Sequence, residues 1–146
     1  LWEMLMMYKK ILVPTDGSEF AKKAQRHALF LSKVSGAEIL AVSVTQNNFI
    51  SGLPLEDEVY QLNQVLKERS EENLKEFDKI NEDDLKITHI IREGSPARVI
   101  LEVAQEEDID LIVMGSSGKS GFDRFIMGSV ADKVVNSAKC AVLVVH

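Results

Sequence analysis

The sequence predicts an α/β domain, an open five-stranded parallel sheet with helices on both faces. Three observations predict it. Five short runs are almost continuously apolar, as strands buried on both faces must be. Four segments between those runs carry apolar residues at helical spacing, so strand and helix alternate as βαβαβαβαβ. Glycine, proline and hydroxyl residues punctuate the junctions.

Each element follows in chain order. "KKILVPTD" is the first strand, closed by Pro14 and Asp16. Ser18 offers a helix N-cap, and Ala21, Ala24, Ala28 and Leu31 recur on one helical face until Gly36 stops the helix. "AEILAVSVT" is the second strand. The polar connection "QNNFISGLPLED" reads as a lid ahead of a long helix with Val59, Leu62, Leu66, Phe77 and Ile80 on one face. "LKITHIIREG" is the third strand. Ser95 as cap and Pro96 at the first helical position then start the third helix. "DLIVMGS" is the fourth strand, "GSVADKVVNSA" the fourth helix and "CAVLVVH" the fifth strand.

The length of 146 residues suits one domain, expected over residues 8–146, with residues 1–7 an extension ahead of it. Apolar residues make up 45% and charged residues 27%, an ordinary globular balance. Seventeen Lys and Arg against 23 Asp and Glu leave a net charge of −6 without a basic run, which argues against nucleic-acid and anionic-membrane partners. The leader "LWEMLMM" is far shorter than the roughly 20 apolar residues a bilayer needs. Cys140 is the sole cysteine, which rules out an intrachain disulfide and fits a reducing, cytoplasmic setting. The three histidines, His27, His89 and His146, show no metal-binding spacing.

With the first strand central and the fourth beside it, the strand order is 3-2-1-4-5. Ligands of such sheets bind beyond the carboxyl ends of the strands, where the winding reverses. The loops flanking that crevice are "PTDGS" and "GSSGKSG", the most polar and glycine-rich turns in the chain. The second contains Gly118-Lys119-Ser120, but a P-loop would need glycine at position 113, which is Val113. A dinucleotide fingerprint fails too, because the first turn holds only Gly17. What remains is Gly115, Gly118 and, after nine residues, Gly128-Ser129. Gly115 and Gly118 would let backbone amides approach an anion, and Gly128, Ser129 and Val130 would open a helix whose free amides favour phosphate.

This G-x2-G-x9-G-[ST] spacing, with "KKILVPTDGSE" and the terminal "AVLVV", resembles the ATP-binding branch of the universal stress proteins from about Tyr8 to the C-terminus. The resemblance implies an adenine-nucleotide α-hydrolase-like fold and ATP as ligand, with Mg2+ as its optional companion. It implies that Pro14, Thr15 and Asp16 meet the adenosine half and that the Val44 backbone recognises the adenine edge. Gly115 would lie near the ribose, with Gly118, Gly128, Ser129 and Val130 around the phosphates. It further implies a homodimer paired through Ala141 to Val145.

Blander readings stand beside these. Gly115 and Gly118 could merely shape a turn, and Asp16 could be a helix cap rather than a ligand or metal carboxylate. Asp123 is a second candidate carboxylate, and Lys119 and Arg124 are solvated charges or phosphate contacts. Three functions follow. The first is a homodimeric ATP-binding stress-response regulator with slow or no hydrolysis; the others are a slow ATP hydrolase or phosphoryl transferase, and a dimer that binds no nucleotide. No catalytic residue is assigned, and the downstream partner is unknown.

Overall fold

The computed structural model describes residues 3, 7–46, 56–117 and 127–146. Residues 47–55 of the connection expected as a lid, most of the leader, and Gly118, Lys119, Asp123 and Arg124 lie outside the described residues, while Glu56 and Asp57 of that connection already belong to a helix. Five strands appear, β1 (Lys10–Pro14), β2 (Glu38–Thr45), β3 (Ile87–Glu93), β4 (Leu111–Gly115) and β5 (Ala141–Val145). Between them run α1 (Glu19–Ser35), α2 (Glu56–Lys79), α3 (Pro96–Glu106) and α4 (Ser129–Ser137). The strands are parallel and ordered β3-β2-β1-β4-β5, the predicted topology.

Alternation along each strand builds two cores. Successive side chains of a strand point to opposite faces. Ile11 and Val13, Ile39 and Ala41, and Leu111 and Val113 therefore join Ala24 and Ala28 of α1 and Leu74 and Phe77 of α2. Leu12, Leu40 and Val42, and Ile112 and Met114 join Val99, Ile100 and Val103 of α3 and Ala131 and Val134 of α4. Both faces of β1 are sealed, which is why its apolar run is unbroken.

The helix ends match their sequence signals with one exception. Ser18 caps α1, its Oγ accepting the Ala21 amide at 3.1 Å. Gly36 takes the left-handed conformation at φ 77° and donates its amide to Ser32 O, the role a glycine fills at a helix end. Pro96 starts α3 as expected, but the Ser95 side chain makes no capping bond.

The long helix departs from expectation. Leu62 is 45% exposed, and the residues α2 buries are Ser70, Leu74 and Phe77. Length explains the difference. The 24 residues of α2 extend about 36 Å, whereas the eight residues of β2 reach about 26 Å. The N-terminal half of α2 therefore outruns the sheet beneath it.

At the sheet's edge, β5 exposes Ala141, leaves Val142 to Val144 half-buried and buries Val145. No helix among the described residues is long and apolar enough to cross a membrane.

Replacing Ser18 with alanine removes the α1 cap and should cost about 1 kcal/mol. A lowered thermal unfolding midpoint is the expected result, and an unchanged midpoint would show that the cap contributes nothing.

Candidate functional site

The site begins where β1 stops. Pro14 pairs with Val42, yet β2 continues to Thr45, so the central strand ends before its neighbour and leaves a notch. The Thr15 amide still donates to Val42 O at 2.9 Å before the chain turns away. That bond fixes which way β2 faces. Within a strand, the N–H and C=O of one residue point to the same side, and alternate residues point to opposite sides. Val42 faces β1, so Val44 does too, at a level where β1 has ended. Thr45 faces β3 and accepts the Gly94 amide at 3.0 Å. The amide and carbonyl of Val44 are thus directed over the end of β1.

A cavity of about 580 Å³ lies there, within the span of roughly 300–1,000 Å³ typical of small-molecule sites. Pro14, Thr15 and Asp16 line it from the β1 turn, Val42 to Thr45 line it from β2, and Gln46 lines it just beyond. Gly115 contributes from β4, and Gly128, Ser129, Val130 and Ala131 from the start of α4. Every predicted site residue that the structure describes therefore reaches one cavity. Gly118 lies outside the described residues.

The β1 turn is built by local hydrogen bonds. Asp16 Oδ1 accepts the Ser18 amide at 2.9 Å, and Gly17 turns the chain at φ 79°. Ser18 is the N-cap of α1, so Asp16 shapes the turn instead of capping the helix and is itself exposed. Thr15 is buried, and its Oγ1 accepts a 2.7 Å hydrogen bond from Gln25 Nε2 of α1. No group of three His, Cys, Asp or Glu able to hold a metal exists among the described residues.

The glycines divide into two kinds. A Cβ on Gly115 would lie 2.7 Å from Phe20 Cβ and 2.8 Å from its carbonyl carbon, so the approach of α1 to β4 requires glycine. Gly128 is different. It donates its amide to Ser116 O at 2.6 Å, and a Cβ would stand 3.1 Å from that oxygen. This contact draws the start of α4 against the end of β4. Gly128 brings no capping side chain to α4, and among the described residues no side chain accepts from its first amides, whose residues line the cavity. Amides so placed, with the positive end of the helix dipole, favour an anion.

Sequence reading missed one wall. Leu66, Arg69, Ser70 and Asn73 of α2 line the cavity at helical spacing, and Pro96 and Ile100 line it from α3. The available signal was a polar interruption in the inward stripe of α2 just before Leu74 and Phe77. Cys140 is half-buried, and desolvation pushes its thiol up, which keeps it protonated at neutral pH.

The fold is a doubly wound α/β domain with its cavity at the reversal of strand order, where sheets of this kind take their ligands. The model of the universal stress protein family matches residues 7–146. Universal stress protein MJ0531 of Methanocaldococcus jannaschii is 42% identical over 140 residues, covering 95% of this chain and 82% of that protein. The solved structure of hypothetical protein MJ0577, from the same organism, is similar at a TM-score of 0.83 and 34% identity, covering 95% of this chain and 96% of the other. A universal stress protein crystallised in complex with cAMP is similar at a TM-score of 0.66 and 26% identity, covering 96% and 98%. The chain belongs to the universal stress protein family.

A Gly115→Ala substitution should destabilise the fold by about 1–3 kcal/mol through overpacking against Phe20. Denaturant unfolding measures this, and wild-type stability would contradict the contact.

Proposed function

We propose that residues 8–146 form a single domain that binds ATP in this cavity. The chain then acts as a nucleotide-dependent regulator of a stress response, with slow or no hydrolysis. The convergence of Pro14, Thr15, Asp16, Val44, Gly115, Gly128, Ser129 and Val130 on one cavity carries this reading. The ends of the cavity differ in chemistry. Val44 offers an adjacent backbone donor and acceptor, which complements the ring nitrogen and amino group on the edge of adenine. The opening turn of α4 offers amides and the Ser129 hydroxyl to phosphate oxygens. The relative crystallised with cAMP supports an adenine nucleotide as the ligand class.

Binding is favoured over catalysis by the cavity's charged groups. Phosphoryl transfer draws on metal-holding carboxylates, a group that orients the nucleophile, and cations. Among the described lining residues, Asp16 is the one carboxylate, and one of its oxygens is engaged by the Ser18 amide. Asp16 is the described residue that would meet a Mg2+ ion carried in by ATP, the second candidate, Asp123, lying outside the described residues. Two chains would pair through β5, whose edge position and apolar Ala141–Val145 sequence suit strand addition. A cytoplasmic setting, without nucleic-acid or membrane partners, accords with the net charge of −6 and the unpaired Cys140.

Equilibrium titration with ATP tests the phosphate end. Ser129→Ala should weaken binding about tenfold, the scale of one hydrogen bond to a charged group, and Gly128→Val should weaken it further. Light scattering should find both variants as dimeric as the parent chain. Unaltered affinity in both would refute the phosphate assignment. Phosphate release at saturating ATP and Mg2+ should stay at background, and sustained turnover would favour the hydrolase instead.

A further inference from the structure

The inner face of α2 breaks its own pattern inside the cavity. Leu74 and Phe77 are 1% and 0% exposed, packed on the sheet as core residues. One to two turns earlier, the same side of the helix presents Arg69, Ser70 and Asn73 beside Leu66, at i, i+3, i+4 and i+7. Ser70 is only 4% exposed and Asn73 is half-buried. No hydrogen bond or ion pair engages the side chains of Arg69, Ser70 or Asn73 among the described residues. No side-chain polar atom of Ser70 or Asn73 is both sealed and unpartnered, so their free groups stay accessible in the cavity, where a bound molecule can meet them. Arg69 is also the one cation among the described lining residues.

Position selects what this stripe meets. Helix α2 packs on β2 and β3, whereas the first turn of α4 lies against the end of β4, across β1. The stripe therefore stands over the Val44 end of the cavity, away from the amides of Gly128 to Val130.

We propose that Leu66, Arg69, Ser70 and Asn73 of α2 form a nucleobase-recognition wall that covers the purine held at the Val44 edge. This assignment rests on the nucleotide reading above and adds a base-reading surface to it. Arg69 supplies a planar cation for the face of the ring, a favourable pairing with an aromatic system. Asn73 supplies a carboxamide whose donor and acceptor complement N6 and N7 of adenine, while guanine presents two acceptors there. Ser70 adds a hydroxyl on the buried side, and Leu66 adds apolar contact.

Titration of the full chain with ATP, adenosine and GTP tests the wall. Arg69→Met keeps the stem and removes the charge from an exposed residue, so folding is not at stake. It should raise the Kd for ATP and for adenosine by the same factor, about tenfold, and leave their ratio unchanged. Asn73→Ala should weaken ATP and adenosine together and narrow the preference for ATP over GTP. If Arg69→Met weakens ATP but not adenosine, the guanidinium serves phosphate and the wall is refuted. Unchanged affinities in both variants refute it as well. A parent chain that binds neither ATP nor adenosine overturns the nucleotide site itself, and this assignment with it.

Discussion

The hydrogen bond from the Thr15 amide to Val42 O is the last link between β1 and β2, and the cavity exists because nothing follows it. Pro14 cannot donate a backbone hydrogen bond, and Thr15 and Asp16 turn the chain toward the Ser18 cap of α1. β2 runs on to Thr45 with β3 beside it. A central strand that stops early leaves a backbone donor and acceptor facing open space at Val44. It also leaves room beneath α2 and α4 for a bound molecule. The sealed faces of β1 hold this geometry, since Ile11, Leu12 and Val13 are each fully buried.

Two glycines that look equivalent in the sequence have different physical causes. Gly115 is demanded by the backbone and Cβ of Phe20, a packing constraint that would exist without any ligand. Gly128 permits a close backbone contact with Ser116 and sets the first turn of α4 against the end of β4. Gly115 thus answers to helix–strand packing, while the contact at Gly128 sets the opening turn of α4 on the cavity. A spacing motif can therefore join two different structural requirements in one pattern.

Strand order, the number of elements and the meeting of the β1 turn with the end of β4 and the start of α4 were legible in the sequence. Buried parallel strands are apolar throughout, and their junctions carry strong turn residues such as Pro14, Gly36 and Pro96. The inner face of α2 was not legible. Helical periodicity locates a stripe but does not tell where the sheet beneath it ends, so Leu62 appeared buried and is exposed. Nor does periodicity distinguish Arg69 and Asn73 facing a cavity from the same residues facing solvent. The Thr15–Gln25 bond was hidden for a similar reason, because Gln25 occupies a position that spacing alone assigns to the apolar face.

The central claim is that this cavity holds an adenine nucleotide. Denaturing freshly purified protein and identifying the released small molecules by chromatography and mass spectrometry tests it most directly. The account predicts ATP at close to one molecule per chain, retained because hydrolysis is slow. A chain that releases no nucleotide and also fails to bind added ATP would contradict it, leaving Gly128 as a turn residue and the family fold without a nucleotide.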